Sequence, residues 1–373
     1  MPYKDALEEK LKALQEEYAK TKYNKVTDKH LGLLRAKMAK IRREIEVRSK
    51  KKKGTGFAVK KTGDATVVLV GFPKAGKSSL LNALTGTSAS KVADYEFTTL
   101  DVIPGMFEYA GAKIQLLDLP GIIEGAHLGK GEGTKVASVM RTADLLLIII
   151  DATATNQLPV LLDELAKLSI RINKERPSIM VEKTSKGGID IEGAVSQKDK
   201  GAIAEALMAS GIYNARVAIT KQTPIDELLD YILESVTYVK GMIVLNKIDL
   251  LSKADVEKTV EKVRQTTGLD VIPVSAFTGE NLDFLKKSIF NSTGLIRIYL
   301  KPKDAEPDFD KPLVIRSGST ILDIARKLNA KTSKYLKHAY VTGASAKFQN
   351  QKVGIDHVVG DEDIVTLAYE KHY

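Results

Sequence analysis

Residues 71–78, with the sequence GFPKAGKS, have the pattern of a phosphate-binding loop. An apolar run at 66–70 precedes them and a helical pattern follows, which is the strand–loop–helix setting that phosphate binding needs. Glycine lets consecutive N–H groups turn toward the phosphates, and the start of the helix attracts the anion. Lys77 is expected to reach the β- and γ-phosphates and Ser78 to bind Mg²⁺. For this loop taken alone, a glycine-rich turn without a ligand is the alternative.

A second motif, Asp118-Leu119-Pro120-Gly121, follows the apolar strand pattern at 113–117. A carboxylate at a strand end beside the phosphate loop can hold Mg²⁺ through water, and the Gly121 N–H can contact the γ-phosphate. The tetrapeptide is common, so its weight comes from its position after a strand and downstream of the loop.

The segment Asn246-Lys247-Ile248-Asp249 closes another apolar strand. Asp249 can accept two hydrogen bonds from guanine N1–H and N2, a donor pair that adenine lacks. The Lys247 stem would cover one face of the base, and Asn246 would connect this loop to the phosphate loop. Ser275-Ala276, after the next strand, would offer a backbone N–H to guanine O6. Motifs at successive strand ends therefore predict a GTP site.

The threonine pair Thr98-Thr99 lies between the first predicted helix and the second predicted strand. A threonine at this place can ligate Mg²⁺ and sense the γ-phosphate, so that the loop is ordered in the GTP state. Thr99 is favoured over Thr98. The alternative is a β-prone threonine pair without a role at the metal.

Ile122-Ile123 follow Gly121, where a GTPase that orients water with a side chain has glutamine. An aliphatic group cannot orient water, and Glu124 or His127 would be the replacements. Intrinsic hydrolysis is therefore expected to be slow, on the order of 10⁻⁴ to 10⁻² s⁻¹. A partner, a cation or a loop rearrangement would accelerate it.

The motifs predict three overlapping sets of site residues. The catalytic set is Lys77, Thr99 and Gly121, and the Mg²⁺ set is Ser78, Thr99 and Asp118, the last through water. The GTP-contacting set is Gly71, Phe72, Pro73, Lys74, Ala75, Gly76, Lys77, Ser78, Ser79, Phe97, Thr98, Thr99, Asp118, Gly121, Asn246, Lys247, Asp249, Ser275 and Ala276.

The elements that position these motifs alternate between strand and helix from residue 65 onward, which indicates an α/β fold with a mostly parallel sheet covered on both faces. Strands are predicted at 66–70, 102–109, 113–117, 144–150, 242–246 and 271–274, and helices at 78–86, 132–141, 157–172, 253–267 and 279–290. The ligand should lie at the carboxyl ends of the strands.

Three further segments surround this domain, which is predicted to cover 57–294. Residues 1–56 read as a basic helical hairpin and linker, because apolar residues recur at spacings of four and three. Residues 174–238 read as an inserted α/β subdomain, whose second helix would begin with Thr223 as its cap. Residues 295–373 read as a small, mostly β module with a helix at 320–328.

Composition limits the class of protein. The 373 residues include no cysteine, which excludes disulfides and thiolate sites, and no apolar run approaches the roughly 20 residues of a membrane span. The N-terminus lacks an apolar signal core, so a cytoplasmic protein without a membrane partner is expected.

Positive charge is concentrated in residues 1–61, which carry 19 Lys/Arg and 8 Asp/Glu and so contribute +11 to a total of +10. This asymmetry indicates a polyanionic partner, most simply RNA or a ribosome, and nothing in it is specific for DNA. The alternative is a solvated helical face followed by a flexible basic linker.

The segments GFP at 71–73, FTTL at 97–100 and DLPGIIEGA at 118–126 resemble the Obg-related GTPases, and within them the developmentally regulated GTP-binding proteins (DRG). The resemblance covers the whole chain. It implies an S5-domain-2-like insertion and a C-terminal TGS domain, which is a ubiquitin-like β-grasp module. It also implies a translation-associated GTPase that contacts ribosomes or RNA, often with a stabilising partner protein.

One position departs from potassium-activated relatives, which commonly carry asparagine where this chain has Lys74. The Lys74 ammonium could occupy the place of the cation and remove potassium activation, or it could be a surface lysine turned to solvent.

Two functions of different class remain open. The first is a slow, Mg²⁺-dependent GTPase that acts as a molecular switch on ribosomes or RNA. The second is a ribosome- or RNA-binding scaffold that nucleotide stabilises and in which hydrolysis is incidental. An ATPase is disfavoured by the intact motif at 246–249.

Overall fold

The structure is a computed structural model of the chain. It describes residues 2–20, 34, 38, 41, 62–86, 103–119, 132–233, 236–303 and 305–370. The chain divides into two compact units, Met1–Ala58 with Leu165–Tyr238, and Val59–Glu164 with Val239–Tyr373. Within the described ranges, no helix is long and apolar enough to cross a membrane.

The N-terminal segment begins with helix α1 (Pro2–Lys20). Leu11, Leu14 and Tyr18 are partly buried on it, in line with the predicted apolar seam, whereas the described charged side chains of the helix are exposed. Leu34 and Met38 are helical and buried, which agrees with a second helix at that place. Residues 21–33 and 42–56 of the predicted hairpin and linker lie outside the described residues.

The first half of the larger unit alternates strands and helices as predicted. Its elements are β1 (Ala65–Gly71), α2 (Lys77–Thr85), β2 (Ile103–Tyr109), β3 (Ala112–Asp118), α3 (Glu132–Thr142), β4 (Leu145–Asp151) and α4 (Leu158–Lys167). All seven residues of β1 are buried, which is the pattern of a strand covered on both faces.

The inserted segment forms its own small core. Its elements are β5 (Ile170–Ile172), β6 (Ile179–Lys183), β7 (Ile189–Gly193), α5 (Gln197–Ala209), β8 (Ala215–Ile219), α6 (Ile225–Ile232) and β9 (Thr237–Val239). A three-stranded sheet has the order β6-β8-β7, and β5 pairs with β9. Apolar residues of the sheet pack on Ile203 and Leu207 of α5 and Leu228 of α6.

The chain then returns to the main sheet through β10 (Gly241–Asn246), α7 (Lys253–Thr267), β11 (Val271–Pro273) and α8 (Leu282–Thr293). The six strands have the order β11-β10-β4-β1-β3-β2. Only the β2–β3 hairpin is antiparallel, so the predicted mostly parallel sheet is confirmed.

The C-terminal module contains β12 (Leu295–Leu300), β13 (Leu313–Arg316), α9 (Ile321–Leu328), β14 (Leu336–Thr342), β15 (Gln351–Val353) and β16 (Asp363–Tyr369). Its sheet has the order β13-β12-β16-β14-β15. Helix α9 begins with a capping box, because the Thr320 hydroxyl accepts from the Asp323 N–H and the Asp323 carboxylate accepts from the Thr320 N–H.

Three local predictions were wrong. The helix predicted at 157–172 ends at Lys167, since β-branched residues of the next segment pair as β5 with β9. Thr223 does not cap α6: its hydroxyl donates to the Lys221 carbonyl, and Pro224, with ψ 137°, takes the N-cap position. Helix α8 begins at Leu282 rather than 279, after a turn.

Candidate functional site

The register of the parallel strands brings the sequence motifs to one edge of the main sheet. Gly71 at the end of β1 lies beside Ile149 of β4, and Asn246 at the end of β10 lies beside Asp151 of β4. Asp118 ends β3 on the other side of β1. Because these strands run in one direction, the loops after them meet at their carboxyl ends.

Two glycines of the phosphate loop allow close backbone contacts. A Cβ on Gly71 would lie 2.4 Å from the Ile149 carbonyl oxygen, and a Cβ on Gly76 would lie 2.3 Å from Asn246 Nδ2. Gly76 also has φ +90°, which disfavours side chains. The ammonium of Lys77 lies across this loop and donates to the carbonyls of Gly71 at 3.1 Å and Phe72 at 3.2 Å.

The predicted magnesium ligands Ser78 and Asp118 are in contact. The Ser78 hydroxyl donates to Asp118 Oδ2 at 2.6 Å. Asp118 is buried, and its Oδ1 has no hydrogen-bonding partner among the described residues. A buried carboxylate oxygen without a donor is costly, and a hard cation would satisfy it together with the hydroxyl. The two residues therefore fit Mg²⁺.

Asn246 connects the phosphate loop to the loops that follow β10 and β11. Its side chain is buried, and Nδ2 donates to the Ala75 carbonyl at 3.0 Å. Its Oδ1 accepts from the Ala276 N–H at 3.1 Å. One amide therefore holds three loops together, and this is the contact that the sequence predicts between Asn246 and the phosphate loop.

Asp249, in the loop after β10, and Ser275, in the loop after β11, are in contact. The Ser275 hydroxyl donates to Asp249 Oδ1 at 2.5 Å and accepts from the Thr278 N–H at 3.0 Å. This bond orients the Asp249 carboxylate, whose two oxygens keep lone pairs that further donors could use.

The backbone N–H groups predicted to reach guanine O6 already have protein acceptors. Ser275 N–H donates to the Glu280 carbonyl at 3.2 Å, and Ala276 N–H donates to Asn246 Oδ1. A bond from Ala276 to the base would therefore have to be shared with Asn246. The sequence could not indicate this competition, because it depends on the position of Asn246.

Asp151, at the end of β4, is a charged residue of the site that belongs to none of the predicted motifs. Its Oδ2 lies 2.7 Å from Lys247 Nζ. Burial alone would raise the pKa of Asp151, but the bonds from Lys247 and Thr153 outweigh it and hold the pKa below its usual value. The only sequence signal was a carboxylate directly after the apolar run of β4, which is too common to assign.

Several predicted residues lie outside the described part of the chain, namely Phe97, Thr98, Thr99, Gly121, Ile122, Ile123, Glu124 and His127. The remaining positions of the phosphate loop are described. Phe72 is partly buried, whereas Pro73, Lys74 and Ser79 are exposed. Lys74 has φ 65°, the left-handed conformation.

Comparisons with known proteins agree with this geometry. A family model described as 50S ribosome-binding GTPase matches residues 66–184, a model of the C-terminal region of that domain matches 186–295, and a TGS domain model matches 296–368. A GTP-binding protein of Methanocaldococcus jannaschii is 42% identical and spans 98% of this chain and 93% of its own length. Developmentally-regulated GTP-binding protein 1 homolog of Dictyostelium discoideum is 42% identical over 97% of this chain and 99% of its own.

The chain belongs to the DRG family. Developmentally-regulated GTP-binding protein 2 of Bos taurus is similarly related, at 39% identity over 96% of this chain and 98% of its own. The resemblance seen in the motifs is thereby confirmed, as are the P-loop GTPase fold and the C-terminal TGS domain. As a DRG member, the protein is a GTP-binding protein.

The central role of Asn246 leads to a first prediction. Asn246→Ala should lower the free energy of unfolding by about 2 kcal/mol, because the Ala75 carbonyl and the Ala276 N–H lose their partner. Denaturant unfolding without nucleotide measures the loss, and hydrogen exchange should increase at 71–78 and 275–280.

The matched control is Asn291→Ala, at an exposed position on α8, which should behave as wild type. Equal stability of Asn246→Ala and this control would contradict a bridging role for the Asn246 amide.

Proposed function

We propose that the protein hydrolyses GTP to GDP and phosphate with Mg²⁺, and that the nucleotide state controls its association with ribosomes or RNA. The observation that carries the hydrolytic part is the contact between Ser78 and Asp118, with the buried and unpartnered Oδ1, beside the glycine loop. Asp249, oriented by Ser275, supports guanine as the base.

Each described residue has a role that follows from its position. The N–H groups of the loop at 71–78 bind phosphate oxygens, and the Lys77 ammonium neutralises charge on the β- and γ-phosphates. Ser78 and Asp118 hold Mg²⁺, which when bound neutralises charge that develops on the phosphate oxygens. Thr99 and Gly121 are proposed to complete the γ-phosphate side, with Gly121 donating its N–H and Thr99 ligating the metal.

Selection of the base is proposed to come from the loop after β10, which carries Lys247 and Asp249. The Asp249 carboxylate accepts from guanine N1–H and N2, and the stem of Lys247 covers one face of the ring. Adenine would leave this carboxylate with the Ser275 hydroxyl but no donor from the base, which costs on the order of 1–3 kcal/mol and more for a charged group.

The rate is proposed to be slow because Ile122 stands where a water-orienting glutamine is expected. Attack by water would then depend on positioning by backbone groups and charge alone. An accelerating partner or a cation would act at this step.

The second prediction tests hydrolysis directly. Wild type should release phosphate from GTP only with Mg²⁺, and ATP in excess should not compete. Asp118→Asn should lower kcat by about 100-fold, because it removes a charge that holds the metal. The measurement is steady-state phosphate release with saturating GTP.

Asp190→Asn, an exposed carboxylate on β7, is the matched control and should keep the wild-type rate. Equal hydrolysis by Asp118→Asn and wild type would refute the metal site. Effective competition by ATP would refute guanine selection.

The proposed association with ribosomes or RNA rests on other observations. The family model that matches 66–184 is described as 50S ribosome-binding GTPase, and residues 1–61 carry the excess positive charge. We place the polyanion contact in this basic segment and in the TGS domain, and we propose a cytoplasmic protein with a stabilising protein partner. The scaffold alternative shares the contact but not its dependence on GTP.

The third prediction concerns this contact. Replacing Lys50, Lys51, Lys52 and Lys53 by glutamine in the full chain should weaken binding to ribosomes. The slope of log affinity against log salt should fall by about 0.7 to 0.9 for each phosphate contact that is lost. Cosedimentation at several KCl concentrations, with GDP or a non-hydrolysable GTP analogue, measures both effects.

Glutamine at the exposed lysines Lys253, Lys258, Lys262 and Lys287 is the charge-matched control and should leave the slope unchanged. An unchanged slope in the Lys50–Lys53 variant would remove the basic segment from the contact. Equal binding with GDP and the GTP analogue would favour the scaffold.

The fourth prediction concerns potassium. Lys74 is exposed in the phosphate loop, and we propose that its ammonium takes the place of an activating cation. Wild type should then hydrolyse GTP equally in KCl and NaCl, and Lys74→Asn should become faster in KCl. Asparagine tolerates the positive φ of this position, so the substitution should not strain the loop.

Lys186→Asn, at an exposed lysine of the insertion, is the control and should show no salt preference. Strong potassium stimulation of wild type would show that Lys74 is a surface lysine without this role.

A further inference from the structure

The carboxylate of Asp151 lies inside the proposed nucleotide site although no motif contains it. In the sheet, Asp151 is the residue of β4 directly beside Asn246 of β10. Its Oδ2 is 2.7 Å from Lys247 Nζ, and the Asp151 side chain is only 17% exposed. The lysine that would cover the base is therefore held by the neighbouring strand.

Both oxygens of this carboxylate have defined partners. Oδ1 accepts from the Thr153 N–H at 2.9 Å and from the Thr153 hydroxyl at 2.7 Å, which leaves Oδ2 directed at Lys247. The Ala152 N–H donates to the Asn246 carbonyl at 2.8 Å, so the backbone after Asp151 is fixed to β10 as well. The carboxylate is thus oriented by bonds within the protein.

The backbone of Lys247 is equally constrained. It has φ 65° and ψ 37°, a left-handed conformation that few side-chain-bearing residues adopt, and it directly precedes the turn that carries Asp249. With the backbone fixed at one end and the ammonium fixed at the other, the four methylene groups between them form a defined surface.

We propose that Asp151 is a positioning residue for guanine: it holds the stem of Lys247 as a preformed wall for one face of the base. This inference rests on the proposed base site at Lys247 and Asp249. A free lysine side chain would lose rotamer freedom on covering the base, and that loss would weaken binding. The ion pair with Asp151 has already restricted those rotamers, so less freedom is lost when the nucleotide binds.

Asp151 remains charged under ordinary conditions, because its bonds hold its pKa below the usual value for aspartate. The pair also differs from a fully exposed surface ion pair, since the Lys247 side chain is 33% exposed and the Asp151 side chain is partly buried.

The test is a double-mutant cycle on the full chain. Asp151→Asn should weaken GDP and GTP binding to the same extent, by about tenfold, because the base and not the phosphates loses its wall. KM for GTP should rise by a similar factor while kcat at saturation changes less than twofold. Lys247→Met should also weaken binding, and Asp151→Asn in that background should add less than twofold.

Two further variants separate positioning from folding. Thr153→Val keeps the ion pair but removes one bond to Oδ1, and it should weaken binding by about two- to threefold. Asp190→Asn, with its exposed carboxylate, should bind as wild type. Thermal unfolding without nucleotide identifies any variant that binds weakly because it is misfolded.

The outcomes distinguish the positioning role of Asp151 from the proposed base site at Lys247 and Asp249. Unchanged GDP affinity in Asp151→Asn, or an effect that adds fully to that of Lys247→Met, would overturn the positioning role while guanine preference persists in wild type. Equal binding of guanine and adenine nucleotides by wild type would instead overturn the base site itself.

Discussion

The nucleotide site depends first on the register of the parallel strands. Asn246 is opposite Asp151, Gly71 is opposite Ile149, and Leu69 is opposite Asp118. A slip of one residue would turn each side chain to the other face of the sheet. All residues of β1 and β10 are buried, so a slip would also require both faces of the close-packed sheet to be repacked.

Within that register, the phosphate and base loops constrain one another. Gly76 can have no side chain because Asn246 Nδ2 occupies the space, and Asn246 can reach the Ala75 carbonyl only because Gly76 leaves that space free. The same amide then uses the N–H of Ala276. The phosphate loop and the loops proposed to bind the base are therefore parts of one hydrogen-bonded arrangement, and loss of the amide should affect both.

Much of this arrangement follows from the sequence, because glycine spacing and apolar runs are local signals. The helix Lys253–Thr267 has the predicted bounds, and the helix Ile321–Leu328 differs from its predicted bounds by one residue. The errors arise where a tertiary contact decides. Thr223 has the chemistry of a cap, but Pro224 takes the N-cap position. A role for Asp151 can be assigned only once the sheet shows Lys247 beside it.

The C-terminal module is joined to the opposite end of the same strands. Leu295 and Val314 are buried in the apolar core of the GTPase sheet, and each contributes about 1.5–3 kcal/mol. Two carboxylates of the GTPase domain also bind the C-terminal module. Asp144 accepts from the Thr66 N–H and from Arg316. Asp64 accepts from the Lys113 N–H and from Lys327. Exposed ion pairs contribute only about 0–1 kcal/mol, so the shared apolar core carries most of the attachment.

This placement limits how nucleotide could influence the TGS domain. The phosphate loop begins at Gly71, at the carboxyl end of β1, whereas the contacts of Asp64 and Thr66 lie at its amino end. A buried, fully paired strand transmits little bending, since close-packed cores do not deform continuously. Nucleotide state should therefore be read mainly at the loops of the carboxyl edge, with the TGS domain held in a fixed position on the GTPase sheet.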